Sequence, residues 1–128
     1  MASSLSLLLL ALCALTVAEA GLRVFNLRAT DLVPDPIGPC DGYVKLFLGS
    51  AKLGTTSVID NDDNPWWEEE FAYLTARQHD VLRLEVYDRD LIYDDLVGIC
   101  ETQIKKGNYV YYCNLDDDVT LYFSTTLS

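Results

Sequence analysis

Carboxylates dominate the side chains of this 128-residue chain that could do chemistry. Twenty Asp and Glu stand against nine Lys and Arg and one His, for a formal net charge of −11. Fourteen of the acids are Asp, a residue of turns rather than of helix faces. They fall in clusters: Asp35 and Asp41 bracket one turn, Asp60, Asp62 and Asp63 occupy a second, and Asp88, Asp90, Asp94 and Asp95 fill a third. Like charges crowded this closely repel, and a bound cation relieves the repulsion. Hard oxygen donors suit Ca²⁺, which takes six to eight oxygens from carboxylates and backbone carbonyls. Zinc is disfavoured, because His79 stands alone and the cysteines lack ligand spacing. A single Asp in a turn commonly only caps backbone N–H groups. The weight therefore rests on two turns loaded alike, 47 residues apart. No twelve-residue EF-hand loop is present.

The same charge excludes nucleic acid as a partner, since phosphate neutralisation needs basic surface. Paired carboxylates also serve glycoside hydrolysis, but Asp massed in two loops without a pocket-forming insertion reads as a metal site. There is no Gly-x-Ser-x-Gly elbow, and no Ser or Cys stands beside a convincing base. The chain is not expected to be an enzyme. A phosphoinositide patch would need more cations than Lys45, Lys52 and a few scattered others. His79, in a polar turn, reads as a surface residue.

The elements that must position these acids are strands. Residues 1–20 are set apart as a signal peptide: Leu5 to Val17 is an uncharged apolar run, and Ala18 and Ala20 fit a peptidase site before Gly21. The run is too short to span a membrane, so a secreted, extracellular protein is expected. Cys40, Cys100 and Cys113 then remain in an oxidising compartment, and one thiol is left over. From residue 21 the hydrophobic period is two. Val81–Tyr87 alternates cleanly, with Leu82, Leu84 and Val86 on one side. Strands are read at Leu22–Leu27, Tyr43–Leu48, Lys52–Ile59, Glu68–Leu74, Val81–Tyr87, Leu96–Ile104, Asn108–Leu115 and Val119–Thr125, separated by Pro-, Gly- and Asn-rich turns. Eight short strands without a helical period predict a single all-β domain over 21–128, an antiparallel β-sandwich. Of the consecutive tryptophans, Trp67 is read as core and Trp66 is left open.

The motifs resemble those of a known family. Leu32 through Leu48 reads L-x-x-D-x-x-x-x-x-D-G-Y-V-K-L-F-L, followed by Asn64-Pro65-Trp66-Trp67-Glu68-Glu69-Glu70-Phe71, Val86-Tyr87-Asp88-Arg89-Asp90 and Asp95-Leu96-Val97-Gly98. In this order they resemble the C2 domain family, and within it the C2 domain that ends the perforins. The pore-forming part of perforins has no counterpart here, so pore formation is not carried over. The resemblance implies that Asp35, Asp41, Asp88, Asp90 and Asp95 chelate calcium, with Asp94 a further ligand. Seven positions separate Asp88 from Asp95, about one fewer than is usual in the family, which leaves open which of Asp94 and Asp95 ligates. The resemblance also implies a circularly shifted strand order and a disulfide between Cys100 and Cys113. An antiparallel pair of their two strands would bring these within reach. Cys40 would then be a free thiol or a link between two copies.

Calcium would cancel most of the charge of these carboxylates and leave coordination positions open to a lipid phosphate. Without it, the acidic tip would be repelled by an anionic membrane. Leu91, Ile92 and Tyr93 sit between the acids, with Ile37 in the first loop, as apolar tips suited to the headgroup boundary. The expected function is calcium-dependent phospholipid binding outside the cell, with immune defence suggested only by the perforin likeness. The alternative is an extracellular protein-interaction domain, monomeric or a Cys40-linked dimer.

Overall fold

The computed structural model describes residues 21–32, 40–116 and 118–128. The proposed signal segment 1–20 and two expected site residues, Asp35 and Ile37, lie outside them. The strands are β1 (Leu22–Thr30), β2 (Gly42–Leu48), β3 (Ala51–Thr55), β4 (Trp66–Trp67), β5 (Phe71–Tyr73), β6 (Val81–Asp88), β7 (Asp95–Gln103), β8 (Gly107–Asn114) and β9 (Thr120–Leu127). Two antiparallel sheets form a sandwich. One runs β4–β1–β9–β8, with β5 also on β1, and the other runs β3–β2–β6–β7.

The expected fourth strand is present in two pieces. β4 and β5 both pair with β1, through Leu27 and Arg28 in one case and Leu22 to Val24 in the other. The ladder breaks at Glu68–Glu69–Glu70, where a charge run sits on an edge. The strand also begins two residues early, because Trp67 is driven into the core at 1% exposure while its indole N–H donates to the Gly42 carbonyl at 3.1 Å. Trp66, left open by the sequence, points outward. The C-terminal β9 lies between β1 and β8, the position a circular shift of the strand order requires.

Leu82, Leu84 and Val86 of β6 are fully buried, as their alternation predicts, against Val44 and Leu46 of β2 and against Leu27, Leu121 and Phe123 of the facing sheet. The disulfide joins Cys100 to Cys113, with Cα atoms 6.0 Å apart. Its geometry differs from the expected antiparallel pair: β7 and β8 belong to different sheets, so the bridge fastens the two layers together along one side. On the same side, a Cβ on Gly98 would stand 2.8 Å from Leu115 Cβ, so the backbones there approach too closely for any side chain.

Candidate functional site

Pairing register brings the acids to one end of the sandwich. Gly42 stands opposite Asp88, and Asp88 opposite Asp95. Asp88 and Asp95 therefore end adjacent strands on one rim, with Asp41 just ahead of β2 beside them, where residues 56–65 and 89–94 connect strands. Asp41 ties these connections together. Its amide donates to Asp88 Oδ1 at 2.9 Å, its carbonyl accepts the Arg89 amide at 2.9 Å, and its Oδ1 accepts the Asn61 amide at 2.8 Å. Gly42 must follow, since a Cβ there would stand 2.7 Å from Leu32 and 3.3 Å from Trp67.

The second connection is held by its own turn chemistry. Asp62 Oδ1 accepts the Asn64 amide at 2.9 Å, and Asn64 Oδ1 accepts the Asp31 amide at 3.0 Å. The carbonyls of Asp63 and Pro65 accept from Leu32 and Ala29. Arg89 reaches back to Asp60 at 3.1 Å, an exposed pair that contributes little.

In the third connection the acids play unequal parts. Asp90 Oδ1 accepts the following Leu91 amide at 2.7 Å. Asp94 is committed at both oxygens, accepting the Asp90 amide at 3.2 Å and the Tyr43 hydroxyl. These donors hold its carboxyl below the ordinary carboxylate range, the Tyr43 bond contributing most. Burial, with the Asp94 charge behind it, pushes Tyr43 up to about 12. Asp94 thus braces the loop against β2, and Asp95, exposed at the start of β7, is the freer oxygen donor of the two. Nothing in the sequence marked the Tyr43–Asp94 contact, because 51 residues separate the partners.

Cys40 is a free thiol and fully buried. A link between copies through this sulfur would require the site to open. Burial and the adjoining Asp88, Asp41 and Asp63 charges raise its pKa, and it is hydrogen-bonded to Asp88.

Among the described residues, no group of three or more His, Cys, Asp or Glu side chains converges to hold a metal. The donor chemistry nevertheless fits a hard cation. Asp63 Oδ1 is buried without a hydrogen-bond partner, and an orphaned carboxylate oxygen beside other acids is relieved by positive charge. The clustering of Asp60, Asp62 and Asp63 was visible in the sequence; this orphaned oxygen was not. Beyond the rim project the apolar tips. Leu91 is 101% exposed, Ile92 89% and Tyr93 71%.

Comparison with known proteins gives a consistent answer. Residues 20–118 match the family model of the C2 domain. Human (Homo sapiens) Perforin-1 is 38% identical over 100 residues, which cover 76% of this chain and 18% of that protein. FT-interacting protein 1 of Oryza sativa subsp. japonica is 41% identical over 81 residues, 60% of this chain and 10% of that one. The chain thus spans less than a fifth of the length of these relatives. Among solved structures, one described as a C2 domain superposes with a TM-score of 0.78 at 51% identity, over 84% of this chain and 96% of that one. The calcium-bound C2A and C2B domains of Extended-Synaptotagmin 2 share the fold, with a TM-score of 0.73 at 21% identity over 84% of this chain and 45% of that one.

Proposed function

The chain belongs to the C2 domain family, and we propose that it is a calcium-dependent phospholipid-binding module rather than a catalyst. The observation that carries this reading is the union of two features on one rim. Asp88 and Asp95 end neighbouring strands with Asp41 beside them, and the loop between those two strands thrusts Leu91, Ile92 and Tyr93 into solvent.

Asp35, Asp41, Asp88, Asp90 and Asp95 would hold the metal, which when bound supplies positive charge and open coordination positions for phosphate oxygens. Asp94 would keep the loop braced through Tyr43 rather than ligate first. The protein's own residues do the rest. Asp41 fixes the spacing of the loops through its bonds to the Asp88 carboxylate and to the Arg89 and Asn61 amides, and the apolar tips enter the headgroup boundary once the charge is neutralised. We further propose that residues 1–20 are removed and that the module acts outside the cell. The likeness to perforin is the sole basis for placing it in immune defence.

Calorimetric titration with calcium, with and without vesicles of phosphatidylserine and phosphatidylcholine, tests the reading. Calcium binding that tightens when vesicles are present is expected. No heat with calcium, and no vesicle cosedimentation in its presence, would overturn it.

A further inference from the structure

Among the described residues the two sheets have four open edges, and three of them are blunted against pairing with another chain. β3 has five residues, carries Lys52, and shifts register against β2 between Leu46 and Phe47. β7 carries Asp95 and Glu101 and shifts register against β6. The β4 and β5 edge is interrupted at Glu68–Glu70. β8 has none of these devices. Its eight residues, Gly107-Asn108-Tyr109-Val110-Tyr111-Tyr112-Cys113-Asn114, contain no charge and no Pro, and all pair with β9 without a shift. Val110 is 80% exposed and Tyr112 74%. The Cys100–Cys113 bridge pins the strand to the opposite sheet, so the edge is held in position.

We infer that β8 pairs antiparallel with β8 of a second copy, forming a two-fold dimer with one sheet continuous across both molecules. Charge selects the partner and the direction. Lys105 and Lys106 stand before β8, and Asp116 and Asp118 stand after it. Antiparallel self-pairing sets the Lys end of each copy beside the Asp end of the other. Parallel pairing would set like against like. An uncharged strand is also the natural meeting place for two strongly acidic chains.

The direction has a functional consequence, which rests on the membrane reading above. Asn114 pairs with Thr120, and Thr120 with Thr30 at the entry to the first acidic loop. The acidic loops therefore lie at the C-terminal end of β8. A two-fold axis perpendicular to the joined sheet reverses β8, so the loops of the two copies face opposite ways. Such a dimer meets two membranes at once and draws vesicles together, rather than gripping one surface twice.

The test uses the purified protein in sedimentation equilibrium, alongside calcium-triggered light scattering of phosphatidylserine vesicles. A reversible dimer is expected. Val110→Lys puts like charges near the two-fold axis and should weaken association roughly ten-fold or more, with an unchanged melting curve at dilutions where both proteins are monomeric. Lys106→Glu should also weaken it, and adding Asp118→Lys should restore it, a rescue that a folding defect would not give. In calcium, the unaltered protein should cluster vesicles, whereas Val110→Lys should cosediment with them without clustering. A monomer at the highest soluble concentration, or a dimer indifferent to both substitutions, would overturn the interface. Equal clustering by both proteins would overturn the bridging role. A dimer responsive to the substitutions but without vesicle binding would uphold the interface and sink the membrane reading instead.

Discussion

Asp88 and Ile92 stand four residues apart and separate the two halves of the proposed chemistry. Asp88→Asn keeps a carbonyl oxygen for the Asp41 amide but loses the charge, so calcium and vesicle binding should both disappear in calorimetry and cosedimentation. Ile92, almost wholly exposed, would on the proposed reading contribute to lipid contact alone. Ile92→Ala should leave calcium affinity intact and weaken vesicle binding roughly ten-fold, from about 1.5–3 kcal/mol for a buried aliphatic side chain less the share alanine retains. A loss of calcium affinity in that variant would instead make Ile92 a packing residue. Tyr43 gives a prediction in pH. Its folded pKa of about 12 lies above the ordinary value of 10.0, so the unfolded chain loses this proton first as pH rises. Stability should therefore be fully present below pH 10 and fall as pH climbs through about 12. Asp94 has the opposite sign. Its pKa is lowered, so its contribution is present above the carboxylate range and is lost as pH falls through its folded value. Tyr43→Phe should flatten both limbs in denaturant titrations across pH; an unaltered profile would show that the contact is not maintained in solution.

Strands were legible in the sequence wherever one face is buried, because alternation is then enforced by the core. β6 is the clearest case, with Leu82, Leu84 and Val86 inside as read. The edge was less legible: Glu68–Leu74 looks like one strand, whereas Trp66–Trp67 and Phe71–Tyr73 are the paired segments. What decided this was Trp67 reaching the Gly42 carbonyl, a contact across the sandwich that no local pattern announces. The acidic loops were visible as composition, but the unequal roles of Asp94 and Asp95 depend on Tyr43, which is distant in sequence. The disulfide was anticipated, though not its placement between sheets. That placement makes a testable difference. A bridge closing a loop of 13 residues contributes about 3 kcal/mol in the chain-entropy model, and Cys113→Ser should lower stability by about that amount. Because the bridge ties β7 to β8 across the layers, hydrogen exchange should accelerate first in those two strands. Uniform acceleration over the whole domain would show that the layers do not separate locally. Gly42→Ala should also destabilise, since its Cβ would collide with Leu32.

At the scale of the whole molecule, calcium held at the proposed rim site should stabilise the fold. Ten-fold saturation by a ligand that binds only the folded state adds about 1.4 kcal/mol. The melting temperature should therefore rise by several degrees in millimolar calcium and far less in magnesium, and identical curves in calcium and in chelator would remove the metal from the account. The other whole-molecule property is the meeting of first and last strands. Leu22 pairs with Leu127 and Thr30 with Thr120, while the Gly21 amide reaches the Ser128 hydroxyl at 3.0 Å. Nearly the whole described chain is thus a single closed loop, whose entropy must be lost before β1 and β8 gain their shared neighbour. During synthesis, β1 is made first and must wait beside the short β4 and β5 until the last strand leaves the ribosome. A nascent chain halted before Thr120 should remain open to protease, and release of the final strand should close the domain in one step.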